Sequence, residues 1–206
     1  MRLHLASGNP HKAGEFAALA AGARLAMEIV PGDGAGQMPS VTEDTGTFTG
    51  NARKKARALH ALLPPGAWVL ADDSGLCVDA LNGAPGVESA YYAGPQGDGA
   101  ANLRRLVEVM RDVPADCRTA HFTCVLVLID ARGGEHLFEG RCDGRLAKEP
   151  HGGAGFGYDP LFVPAGQSFT YAELPEARKS ELSHRGRAWA QLAAWFHGQP
   201  GGLSPG

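Results

Sequence analysis

Four separated segments carry residue types that can handle a phosphorylated ligand. Ser7-Gly8-Asn9-Pro10-His11-Lys12 joins turn formers to a proline and a lysine. Pro10 suits the first position of a helix and Asn9 its N-cap, which puts Lys12 in the first helical turn. Exposed backbone N–H groups and a cation at such a corner favour an anion, phosphate above all. The pattern is not the P-loop, which needs a longer glycine-rich loop ending in Gly-Lys-Ser/Thr. Carboxylates are paired in Glu43-Asp44 and again in Asp72-Asp73. Hard oxygen ligands of this kind, completed by phosphate oxygens and water, suit Mg²⁺. The last segment, His151 to Pro160, sets glycines around Phe156, Tyr158 and Asp159. Glycine lets backbone approach a ligand closely. Phe156 can then stack on a planar base, while Asp159 offers an acceptor.

Plainer accounts exist for each feature alone. A capped strand–helix turn explains the first segment, and a solvated turn explains Asp72-Asp73-Ser74-Gly75. Core packing explains Tyr158. Lys12, Lys55, Lys179, His184 and Arg185 each read singly as surface charges, as do Lys54 and Arg57.

The elements that must position these residues follow from hydrophobic periodicity. Arg2 to Ala6 is a short buried strand, followed by a helix with Ala13, Phe16 and Ala20 on its apolar face. Met27 to Val30 is a strand. Phe48 to about Leu62 is a helix with a stripe of Phe48, Ala52, Ala56, Leu59 and Leu63, and Asn51 and Lys55 lie four apart, away from most of it. Trp68 to Ala71 is a buried strand ending at Asp72-Asp73, where a carboxylate faces the usual ligand crevice of an open sheet. Leu76 to Leu81 is a further short strand or turn, and Asn102 to Met110 an amphipathic helix. Thr119 to Ile129 and Glu135 to Leu146 form a long hairpin across a Gly-Gly turn. Leu161 to Val163 is a short strand. A last helix runs from about Ser183 to Phe196, with Lys179, His184 and Arg185 before and within its first turn. Early strands alternate with helices and a hairpin follows. The fold class is therefore α/β (mixed α+β), an extended mixed sheet flanked by helices. Residues 1–198 form one domain of two lobes around a central cleft, and the Gly- and Pro-rich residues 199–206 a flexible tail.

Composition sets the outer limits. A chain of 206 residues with a formal net charge of −3 has no broad basic surface for polymeric nucleic acid. No signal peptide or spanning apolar run is apparent, so no membrane partner is expected. The four cysteines show no CxxC spacing and read as reduced thiols of a cytoplasmic protein.

Taken together, the segments SGNPHKAGEF, EDTGTFTGNARKKA, ADDSGLCVDALNGAPGVESAYYAG, GGAGFGYDPLF and KSELSHRG resemble the inosine/xanthosine triphosphate pyrophosphatase family, in order and over residues 7 to 186. The sequence departs from that pattern at Gly50, where many members carry an acid. It also has Glu43-Asp44 where many bacterial members have two glutamates.

The resemblance implies hydrolysis of ITP, dITP and XTP to the monophosphate and pyrophosphate, which cleanses the nucleotide pool. It implies a Mg²⁺ requirement and a homodimer. By motif position, Ser7, Gly8, Asn9, Pro10, His11 and Lys12 would bind the triphosphate, with Lys55 on the second helix and Ser74 also touching substrate. Asp73 would be the general base and, with Glu43, a metal contact; the residues alone leave Asp72 and Asp73 open for the proton. Phe156, Gly157, Tyr158, Asp159, Lys179, His184 and Arg185 would form the nucleotide pocket. A nucleotide-binding regulator without catalysis, and a pyrophosphatase for a modified pyrimidine or a standard nucleotide, are the rival readings.

Overall fold

The computed structural model describes residues 1–32, 34 and 37–198. The tail expected at 199–206 lies outside the described residues. Among the described residues six strands, β1 (Arg2–Leu5), β2 (Glu28–Pro31), β3 (Trp68–Val78), β4 (Thr119–Ile129), β5 (Glu135–Leu146) and β6 (Phe162–Pro164), form one sheet in the order β2-β1-β3-β4-β5-β6. β1 runs parallel to both β2 and β3, and β5 antiparallel to β6, so the sheet is mixed as expected. Among the described residues five α-helices accompany it: α1 (Pro10–Gly22), α2 (Phe48–His60), α3 (Gly99–Val109), α4 (Glu176–Leu182) and α5 (His184–His197).

The chain divides into two compact units. One comprises 1–73, 124–140 and the segment from Arg185 onward, and the other comprises 74–123 and 141–184. The division falls inside β3, β4 and β5, so each of these strands contributes to both units.

In the first unit the sheet is covered on both faces. Leu70, Cys124, Leu126 and Leu128 pack with Phe16 and Ala20 of α1 and with Ala188, Trp189 and Leu192 of α5. Val69, Ala71, Val125, Val127 and Ile129 pack with Ala52, Ala56 and Leu59 of α2. Two buried faces explain the unbroken apolar run from Cys124 to Ile129, which alternation with polar residues would otherwise interrupt. In the second unit Leu76, Val78, Phe122, Cys142 and Phe162 pack with Leu106 and Met110.

Two sequence expectations change. The break foreseen after Ala71 is absent: β3 runs unbroken through Asp72, Asp73, Ser74 and Gly75 to Val78. Turn-forming residue types stay extended here because the neighbouring helices bring cations to the two carboxylates. The second change is α4, a separate helix that the sequence reading merged into the approach to the last one. Lys179 therefore sits on α4, with His184 and Arg185 opening α5.

Candidate active site

The period of a strand puts successive side chains on opposite faces. Asp72 follows Leu70 onto the α1 and α5 face, and Asp73 follows Ala71 onto the α2 face. The two carboxylates therefore meet different helices.

Asp72 is fully buried and gathers cations. The Lys12 ammonium donates to Oδ1, and Arg185 Nε donates to Oδ2 at 3.3 Å. The Cys124 thiol donates to the same Oδ2 at 3.1 Å. Arg185 also holds Glu15, a residue three positions after Lys12 on α1. Burial alone would push the Asp72 carboxyl up, but the charges of Lys12 and Arg185 hold it well below the usual carboxylate range. Burial lowers Arg185, while Asp72 and Glu15 outweigh that and raise it. Asp72 is thus a fixed anion and no proton acceptor at neutral pH.

Asp73 has the opposite balance. Lys55 Nζ, from α2, lies 2.7 Å from Asp73 Oδ1 and 2.9 Å from Glu43 Oε2. Burial is the largest influence on Asp73 and outweighs the pull of Lys55. With the Glu43 carboxylate adding to it, the Asp73 carboxyl is pushed up to about 7. Glu43 is less buried, and Lys55 holds it below the ordinary value. This is the range a general base at neutral pH needs.

Among the described residues, no group of three or more His, Cys, Asp or Glu side chains gathers to hold a metal ion. Glu43 and Asp73 nonetheless fit a hard divalent cation whose other ligands are phosphate and water. Asp73 Oδ2 is buried and meets no hydrogen-bond donor among the described residues.

At the start of α1, Asn9 caps the helix by accepting from the His11 N–H at 2.9 Å, and Pro10 opens it. The Ser7 hydroxyl accepts the Asn9 N–H at 3.2 Å. A Cβ at Gly8 would meet open space, and the first turn of α1 carries no acidic residue. The N–H groups of this corner therefore face no carboxylate of their own first turn.

The second unit holds the remaining candidates. Asp159 Oδ2 accepts from the Phe156 N–H at 2.9 Å and from Lys179 Nζ at 2.7 Å. Gly155 has a φ of +76°, and a Cβ there would run into the Asp159 carboxylate, so glycine is required. Lys179 lies 5.4 Å from the Phe156 ring centroid. Tyr158 packs in the core, where its hydroxyl donates to the Ser89 carbonyl at 2.8 Å. Burial, with Tyr92 adding, raises that phenol. His184 is buried and stacks on Phe122, with centroids 4.6 Å apart and planes at 10°. Ser74 belongs to this unit and Asp73 to the first; likewise His184 belongs here and Arg185 to the first.

The plain surface-charge account fails for the candidate cations. The side chains of Lys12, Lys55, Lys179 and Arg185 are 15%, 12%, 13% and 5% exposed. It holds for Lys54 and Arg57, which pair with Asp44 and Glu135 at the surface. Sequence reasoning missed Glu15 and Cys124. The i, i+3 spacing of Lys12 and Glu15 on one helix face was the available signal for the first.

The Ham1 family model matches residues 3–195. The chain is 62% identical over 199 residues to a dITP/XTP pyrophosphatase of Opitutus terrae, covering 95% of this chain and 98% of that one. It is 47% identical over 193 residues to a dITP/XTP pyrophosphatase of Leifsonia xyli subsp. xyli, covering 93% and 94%. Among solved structures, a HAM1 protein from Coxiella burnetii superposes with a TM-score of 0.82 at 36% identity, covering 97% of this chain and all of that one (100%). The Staphylococcus aureus Ham1 protein gives 0.81 at 32% identity, with the same coverage.

Proposed function

Because the chain belongs to the Ham1 family, we propose that it hydrolyses the non-standard purine nucleotides ITP, dITP and XTP to the monophosphate and pyrophosphate. The observation that carries this reading is the Glu43–Lys55–Asp73 group, in which burial brings one carboxyl into the range of a base at neutral pH.

Phosphoryl transfer asks the protein mainly for positioning and charge neutralisation. Lys12 and the N–H groups opening α1 bind the phosphate chain. Asp73 takes a proton from water as its oxygen bonds to the α-phosphorus. The bond from that phosphorus to the bridging oxygen breaks, and pyrophosphate leaves. Mg²⁺, held by Glu43 and Asp73, would neutralise phosphate charge when bound. Asp72 takes no proton and holds Lys12 and Arg185 in place. Phe156 stacks on the base, and His184 with neighbouring N–H groups of the Phe156–Asp159 segment reads its edge. Gly157 lets that backbone come close, Ser74 touches the substrate, and Tyr158 supports the segment from the core.

In the cell such an activity keeps non-standard purines out of DNA and RNA, and it belongs to the cytoplasm. Among the described residues no helix is long and apolar enough to cross a membrane. A homodimer is part of the proposal, and light scattering showing a monomer alone at micromolar concentration would refute it.

A panel of ITP, dITP, XTP and the standard triphosphates, scored for pyrophosphate release with and without Mg²⁺, tests the reaction. Release from ITP and XTP that stops with chelator and returns with Mg²⁺ is the expected result. Release of orthophosphate alone, or no turnover of any purine, overturns it.

A further inference from the structure

Asn51 lies one turn before Lys55 on α2 and is buried. Its Oδ1 accepts twice from Thr45, from the backbone N–H at 3.2 Å and from Oγ1 at 2.8 Å. A backbone N–H can only donate, which fixes the orientation of the amide. Asn51 Nδ2 is then left buried with no hydrogen-bond partner among the described residues. Native proteins rarely keep such a group unless its other atoms are needed where they are.

Thr45 stands two residues after Glu43, in a stretch with no helix or strand. Two side chains one turn apart on α2 therefore grip this stretch. Lys55 holds the Glu43 carboxylate at 2.9 Å, and Asn51 holds the main chain at Thr45. Gly50 leaves room for the approach, because a Cβ there would run into the Thr45 and Thr47 side chains. Lys55 alone could follow a wandering Glu43, since its four-carbon stem is flexible. The short amide of Asn51 cannot.

We propose that Asn51 is a positioning residue that fixes the Glu43 segment against α2, so that the Glu43 carboxylate stands ready beside Asp73 for a divalent cation. This rests on the reading of Glu43 and Asp73 as the cation's protein ligands. Asn51 touches neither cation nor substrate; it acts through Thr45 and the backbone between.

The test uses Mn²⁺ as probe, titrated into the full chain and followed by the electron paramagnetic resonance of the free ion. Melting temperatures in chelator are recorded on the same samples. Glu43→Gln and Asn51→Ala should each weaken Mn²⁺ binding about tenfold, the scale for disturbing a metal site or its outer shell. Thr45→Val, which removes one of the two donors, should weaken it about threefold, and Thr45→Ser, which keeps both, should match the parent. Asn51→Ala should add no further loss in a Glu43→Gln background. A purely structural Asn51 would lower the melting temperature and leave Mn²⁺ binding of the folded protein unchanged, and that result overturns the inference alone. Should Asn51→Ala not fold, parent-like Mn²⁺ binding by Thr45→Val overturns it, since Thr45 is exposed. A Glu43→Gln protein that binds Mn²⁺ like the parent, or a parent that binds none, overturns the cation reading beneath it.

Discussion

Asp72 and Asp73 are neighbours in one strand and hold opposite protonation tendencies. Asp72 is held far down by Lys12 and Arg185 against its burial, and Asp73 is pushed up to about 7 by burial that Lys55 does not offset. Alternation along β3 is the cause, because it turns one carboxyl toward α1 and α5 and the other toward α2. A pair of titratable groups driven apart in this way separates a structural role from a chemical one.

Replacement of the chemical member should cost rate and spare the fold. Asp73→Asn should lower kcat about 10²–10⁴-fold, the usual range for loss of a general base. Steady-state pyrophosphate release, with circular dichroism as the control for folding, measures it. Near-normal turnover by a folded Asp73→Asn protein removes Asp73 from the mechanism.

The same carboxyl should leave a mark on stability. Its ordinary value is 3.8 and its folded value is about 7, so between the two the folded chain keeps a proton that the unfolded chain releases. Stability from this group therefore falls as pH rises through that window and levels off above it. Asp73→Asn has no such slope. In chelator, the melting temperature of the variant minus that of the parent should grow from about pH 4 to about pH 7 and then stay constant. A difference that stays flat or shrinks over that window contradicts the sign.

Asp72 predicts the reverse. Its folded value lies below the ordinary 3.8, so its contribution is complete above that value and is lost as pH falls below it. Asp72→Ala leaves the buried Arg185 and Lys12 without this partner. Breaking a buried ion pair from one side costs about 3–5 kcal/mol, which urea denaturation at pH 7 should show. A loss below about 1 kcal/mol would place the pair among those that solvent screens.

Base selection should follow hydrogen-bond chemistry. A 6-keto purine presents an acceptor where adenine presents an amino donor. Donors from His184 and the nearby backbone would satisfy the first and oppose the second. One unsatisfied buried group costs ~1–3 kcal/mol, a factor of about 5–150, so kcat/KM for ITP should exceed that for ATP by at least this much. Phe156→Ala should weaken all purines alike, because stacking does not read the edge of a base. Equal kcat/KM for ITP and ATP in the parent enzyme would end the base-selection argument while leaving the phosphate chemistry standing.

Much of the fold was legible because it is written in local pattern. The long strands β4 and β5 fall at Thr119–Ile129 and Glu135–Leu146, as their periodicity foretold, and Asn9 and Pro10 open α1 as their types require. Pattern failed where tertiary partners overrule it. Asp72 and Asp73 stay in a strand because Lys12, Lys55 and Arg185 reach them from 60, 18 and 113 residues away. α4 is seven residues long with no buried side chain of its own, so it carries no apolar period to find. The site was legible as residue types and not as pairings. Lys12 with Asp72, Lys179 with Asp159 and Asn51 with Thr45 are contacts that only the folded chain creates.

The interleaving of the two units has a consequence for synthesis on the ribosome. The first unit is assembled from three stretches of chain, and Arg185 opens the last of them. Arg185 and Asp72 are 113 residues apart. At translation speeds of about 5–20 residues per second, the carboxylate emerges roughly 6–23 s before its guanidinium partner exists. β4 emerges partway through that interval, whereas α5 comes only at its end. The nascent chain must therefore pair its central strands while the α5 side of β3 is still uncovered, with Asp72 beside Lys12 but without its guanidinium.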